Sequence, residues 1–165
     1  MRHLTRNQLV ILAAAASAAI LAGAYTFQAL GYPPCKMCWW QRYPHFAAVA
    51  IGVLALMFRG AFWPWMGALA AATTSAIGLY HSGVERKWWL GPTSCTSSGG
   101  GIQNMSIDNL LDPTADAPAL ILCDQIPWRL SDMIPLEFLD ITMANLNFIG
   151  SALFAVIWVM AARKS

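Results

Sequence analysis

Apolar residues in this chain come in blocks of about twenty, the length that crosses the hydrocarbon core of a bilayer as a helix. Four blocks can be drawn, at about 8–30, 43–58, 61–80 and 143–162. Loops at about 31–42 and 82–142 separate the outer pairs. Of the 165 residues, 58% are hydrophobic and 11% charged, well under the roughly 25% charge of a soluble domain. The expected class is all-α and integral to the membrane: one domain, a bundle of four transmembrane helices. Net charge is +2 and no basic run occurs, so nucleic acid is not an expected partner. The second block is short unless Trp39 and Trp40 sit in the interface, which tryptophan favours. Arg59-Gly60 is a very tight link and predicts an antiparallel hairpin of blocks two and three. Arg2, Arg6 and the Ala-rich run after them have a signal-peptide texture, but the apolar run continues to Leu30, longer than such segments, so a retained span is expected.

Charge orients the bundle. Arg2, Arg6, Arg59, Arg163 and Lys164 crowd the tails and the tight link, while the other five basic residues spread over the remaining loops. The positive-inside rule then places both termini in the cytoplasm. With four spans, the first and third loops share the opposite side. The four cysteines all lie in those two loops, so they face one compartment, expected to be the periplasm, where disulfides persist.

Cys35-Lys36-Met37-Cys38 stands at the mouth of the second block, and Cys95 and Cys123 in the long loop. A zinc site would recruit all four cysteines and fits an oxidising membrane surface poorly. A c-type haem site needs histidine after the second cysteine, where Trp39 stands. A redox dithiol is the remaining reading, since two thiols this close along the chain open and close a disulfide with little backbone movement. Such a thiol needs a stabilised thiolate. If the chain is helical after Cys38, Arg42 and His45 share its face at i+4 and i+7. An interface arginine that merely snorkels is the plainer reading of Arg42. Pro44 either kinks this helix or marks its first turn. His81 and Gln28 are further polar groups at the same membrane level and candidate ligands, though solvation alone would explain either.

The long loop mixes a charged and aromatic collar at 84–89, a Ser/Gly run at 97–101, and a stretch at 126–134 that alternates apolar and polar residues. The Ser/Gly run is flexible by composition. The alternating stretch predicts a short interfacial helix. A mobile arm for Cys95 and a membrane-proximal Cys123 follow; a surface loop stapled by one structural disulfide is the plainer alternative.

Three motifs carry a resemblance. Cys35-Lys36-Met37-Cys38-Trp39-Trp40-Gln41-Arg42-Tyr43-Pro44, then Tyr80-His81-Ser82-Gly83-Val84-Glu85, then Cys95 and Cys123-Asp124-Gln125-Ile126-Pro127-Trp128 resemble the DsbB-type family, the quinone-dependent disulfide-bond formation proteins of the bacterial inner membrane. The resemblance covers essentially the whole chain. It implies reoxidation of a periplasmic, thioredoxin-fold dithiol oxidase of DsbA type, with electrons passing through Cys95–Cys123 and Cys35–Cys38 to ubiquinone or menaquinone. By position, Cys95 would form the mixed disulfide with the partner, and Cys123 would resolve it and pair transiently with Cys35. Cys38 would face the quinone and form the charge-transfer species, with Arg42 beside it. Gln41 stands where some members carry an acid. Two other readings compete: a four-span scaffold with inert disulfides, and a vitamin-K-epoxide-reductase-like oxidase, whose Cys-x-x-Cys is expected late in the chain.

Overall fold

The computed structural model describes residues 4–96, 122–132 and 140–165. Four long helices dominate it: α1 Arg6–Ala29, α2 Lys36–Met57, α3 Phe62–Glu85 and α4 Met143–Ala162. α1 packs on α2 and α4, and α3 packs on α2 and α4, so the helices close into a ring in chain order. No strand occurs among the described residues. Capping boxes start the first and last helices: Thr5 with Gln8, and Thr142 with Asn145. Gly60 takes φ 117° in the link between α2 and α3, a left-handed conformation that glycine adopts without steric cost, and the expected hairpin forms.

The bundle buries many small residues around Leu9, Val10 and Trp158 and turns many of its large apolar residues outward. Ala13, Ala48, Ala55, Ala68, Ala71 and Ala161 are buried, with Ser17 and Ser151 among them. Leu12, Val53, Leu69 and Leu153, one from each helix, are 47, 56, 60 and 59% exposed. A water-soluble bundle places its large apolar residues the other way round; close packing of small residues is the habit of helices in lipid. Two helices, α1 and α4, are both long and apolar enough to cross a membrane on composition alone. α2 and α3 carry more polar residues, and these turn inward: Gln41, Arg42, His45, Thr74, Ser75 and His81 are all buried.

Helix ends depart from the apolar blocks in one consistent way. α2 begins at Lys36, well before the block at 43–58, and α3 runs to Glu85, past the block at 61–80. Pro44 therefore lies inside α2. It has no N–H for the Trp40 carbonyl, and the next carbonyl, Gln41 O, accepts the Thr74 hydroxyl at 2.9 Å. The interfacial helix expected at 126–134 starts later than the alternation implied: among the described residues, one 3-10 turn, Leu130–Asp132, follows a non-helical 126–129. Backbone pairing of Arg129 with Thr142 holds that segment against the start of α4, and a paired backbone cannot at once be helical. Met133 and Ile134, and the Ser/Gly run at 97–101, lie outside the described residues.

Candidate functional site

Cys35 is the N-cap of α2, and its sulfur accepts from the Cys38 N–H at 3.2 Å. This places both sulfurs at the positive end of the helix, with Sγ atoms 2.8 Å apart as thiols. Cys95 and Cys123 form a disulfide with Cα atoms 5.3 Å apart. Cys35, Cys95 and Cys123 pack into one buried cluster with Met37 and Val84, and Cys38 lies against it. The long loop therefore brings the second pair onto the first. It also takes Cys95 and Cys123 out of any four-cysteine zinc site.

The four remaining residues singled out in the sequence converge on the same place. Arg42 is 6% exposed. It donates to Gln28 Oε1 at 2.8 Å and to the Ala24 carbonyl at 3.1 Å. Its guanidinium lies 4.7 Å from the Tyr25 ring centre and 4.8 Å from that of Trp39. This is a clamped cation held against α1 and not a snorkelling one. His81 Nε2 lies 3.6 Å from Cys35 Sγ and 3.9 Å from Glu85 Oε1. His45 Nε2 lies 2.8 Å from Asn147 Oδ1, while its Nδ1 is buried with no hydrogen-bond partner among the described residues.

Cys35, Cys38, Arg42, His45 and His81 all line one cavity of about 240 Å³. Most of its wall is apolar, with Ile20, Phe27 and Trp128 among the lining residues. Gln28 reaches it through Arg42. Sequence reasoning passed over a group of polar residues beside this site, Thr74, Asn147 and Ser151, which bond with Gln41 and the histidines. Asn147 Nδ2 donates to Gln41 Oε1 at 2.7 Å, and Gln41 Nε2 lies 2.7 Å from His81 Nδ1. The available signal was a polar residue inside an apolar block, which is costly in lipid and therefore informative.

The thiols are unequal. Cys35 donates its proton to Cys38 and is buried, which pushes its pKa far above the usual thiol range. The same hydrogen bond, received, pulls Cys38 down against its burial, aided by the backbone N–H contacts and Arg42. The first proton lost thus leaves its charge on Cys38, which lines the cavity together with Cys35. Burial holds His81 neutral, down to about 4. Burial also pushes Glu85 up to about 7, opposed by the Thr142 hydroxyl, which donates to it at 2.6 Å. These groups stand on the helix extensions beyond the apolar blocks.

A helical bundle with the surface of a membrane protein, holding a disulfide against a dithiol, defines a class: a membrane protein of thiol–disulfide exchange. The family model described as "Disulfide bond formation protein DsbB" matches residues 6–161, and the chain belongs to that family. Comparison with curated proteins and with solved structures returned no match.

Proposed function

We propose that this protein is a four-span inner-membrane thiol–quinone oxidoreductase that reoxidises a periplasmic DsbA-like dithiol oxidase. Both termini are cytoplasmic and all four cysteines periplasmic. The observation that carries the reading is the placement of Cys35 and Cys38. One side of the pair meets the Cys95–Cys123 disulfide, and the other meets an apolar cavity with a buried arginine. A dithiol with only a structural role needs neither neighbour.

The exchange balances in three steps. The partner's dithiol reduces Cys95–Cys123 through a mixed disulfide at Cys95. The resulting dithiol reduces the Cys35–Cys38 disulfide, with Cys123 and Cys35 as the sulfurs that meet. Two electrons and two protons then leave Cys35 and Cys38 for the lipid-soluble acceptor, and their disulfide reforms. A quinone, ubiquinone or menaquinone, supplies that two-electron sink, which a strongly oxidising partner requires. The residues fit such a ring: an apolar wall, Arg42 to favour negative charge on an oxygen, and the His45 Nδ1 as an acceptor for a hydroxyl. Arg42 also favours the Cys38 thiolate that faces the cavity.

The test is quinone consumption by the reduced Cys95→Ser, Cys123→Ser variant without any partner. One quinone reduced and two thiols lost per chain is the expected result. Unchanged thiols would return the chain to a scaffold with structural disulfides.

A further inference from the structure

We infer that Thr74, Asn147 and Gln41 form a clamp that fixes His81 as the Nε2–H tautomer, presenting an N–H donor to the sulfur of Cys35. The inference rests on reading Cys35 and Cys38 as the redox dithiol, and it assigns that dithiol three positioning residues on three different helices.

The direction of each hydrogen bond follows from the far end of the chain. Thr74 Oγ1 donates its only proton to the Gln41 carbonyl at 2.9 Å. That hydroxyl can then only accept, so the Asn147 atom 3.1 Å from it is the amide nitrogen. The Thr74 carbonyl, 3.3 Å from the same nitrogen, also only accepts. Asn147 so oriented donates to Gln41 Oε1 at 2.7 Å, which leaves Gln41 Nε2 facing His81 Nδ1 at 2.7 Å. An amide nitrogen donates and does not accept. His81 Nδ1 is therefore the acceptor, and a neutral imidazole then carries its proton on Nε2. That N–H faces Cys35 Sγ at 3.6 Å, with the Cys123 backbone as its second neighbour.

The same orientation turns Asn147 Oδ1 toward His45 Nε2 at 2.8 Å and the Ser151 hydroxyl at 3.2 Å. Both histidines are thus held in one tautomer by one asparagine. The whole chain is buried: Thr74 and Ser151 are 0% exposed, His45 1% and His81 3%. These side chains are shielded from bulk solvent, so breaking one bond leaves a buried group short of a partner.

An N–H donor on Cys35 matters because this thiol gives up its proton least readily. Cys38 is the neighbour that opposes a second negative charge, while Glu85 on α3 and Arg42 further along α2 act on Cys38 in opposite senses. The His81 N–H is the donor that faces Cys35. The neighbouring Cys95–Cys123 disulfide carries no charge. The clamp has a second consequence. Cys35, Cys38 and His81 offer ligand atoms within 4.8 Å of one another, yet the imidazole nitrogen in that group is the protonated one. A metal ion cannot take it without breaking the clamp.

Two measurements test this, both without quinone or partner. The first is the ¹⁵N-histidine NMR spectrum of the reduced protein at neutral pH, with His81 assigned by His81→Gln. The expected signature is Nε2–H with Nδ1 as acceptor; an Nδ1–H resonance or an averaged mixture would overturn the inference. The second is the Cys35 pKa from thiolate ultraviolet absorbance in a chain with Cys38, Cys95 and Cys123 replaced by serine. Thr74→Val, which frees the asparagine to turn over, should raise it by about one pH unit, and Thr74→Ser should restore it. An unchanged pKa in Thr74→Val would refute the clamp. Because neither measurement uses an acceptor, failure of the quinone reading and failure of the clamp remain distinguishable.

Discussion

At the scale of single residues, Arg42 shows why burial decides between roles that a sequence leaves open. A surface arginine contributes little through its charge, because water and salt screen it. Here the guanidinium is bonded to Gln28 and Ala24 and flanked by two aromatic rings, so its charge acts in a poorly screened setting. Arg42→Met keeps much of the stem and removes the charge. Its KM for quinone should rise, or its turnover fall, by about tenfold or more, since about 1.4 kcal/mol is a factor of ten. Arg42→Lys should recover only part, because a point charge cannot serve both acceptors as the planar fork does. Disulfide exchange at Cys95 should be nearly unaffected. Quinone kinetics equal to wild type in Arg42→Met would reduce the residue to an anchor.

Helices explain both what the sequence made visible and what it hid. α4 matched its apolar block at both ends, and α1 within two residues, because hydropathy marks the stretch that meets lipid. α2 and α3 outrun their blocks on the cysteine side. There the polar residues face inward to one another, so a one-dimensional average reads a loop where the chain is still helical. The cysteines, Arg42 and both histidines were recognisable by type; Asn147 and Thr74 were not, because their meaning lies in a pairing across helices. The packing between helices was equally hidden. A Cβ on Gly67 would stand 2.5 Å from the fully buried Trp158 ring. Gly67→Ala should therefore destabilise the bundle by about 1–3 kcal/mol, measured as unfolding in detergent; a neutral result would mean that the ring has room to shift.

Glu85 extends the same point to pH. Its carboxyl is neutral in both folded and unfolded chains below the ordinary 4.5, and its folded pKa is about 7. Between these values the folded chain holds the extra proton, so stability falls as pH rises through this window and stays lower above it. Glu85→Gln removes that penalty. It should be more stable than wild type at pH 8, by a margin on the order of 1–3 kcal/mol, and no different at pH 4. A margin independent of pH would show that Glu85 does not titrate in this window.

Taken as a whole, the molecule keeps two sulfur pairs in one buried cluster, whereas the proposed function requires one of them to meet a soluble protein. Cys95 and Cys123 are 2% and 0% exposed, so no thioredoxin-fold partner reaches either sulfur without moving the loop. The loop ties the two cysteines unequally. Cys123 packs beneath α3, where its backbone bonds His81, and the chain after it is pinned through Arg129 to Asp140 at 2.8 Å. Cys95 follows a turn whose outer contact is Lys36 donating to Ser94 at 3.0 Å, in an exposed setting. Swinging either cysteine outward unpacks a buried residue and parts the backbone bond from Cys123 N–H to the Cys95 carbonyl. Beyond that, Cys95 gives up an exposed contact at Ser94, whereas Cys123 gives up its bond to His81 and pulls on the segment pinned at Arg129. The attacked sulfur should therefore be Cys95, with Cys123 left near Cys35 to pass the electrons on. Cys123→Ser removes the resolving thiol, so a covalent adduct with the cognate periplasmic oxidase should accumulate through Cys95 on a non-reducing gel. Lys36→Ala should speed formation of that adduct, since it loosens only the outer contact. An adduct through Cys35 would reverse the order of the relay and place partner docking at the helix mouth.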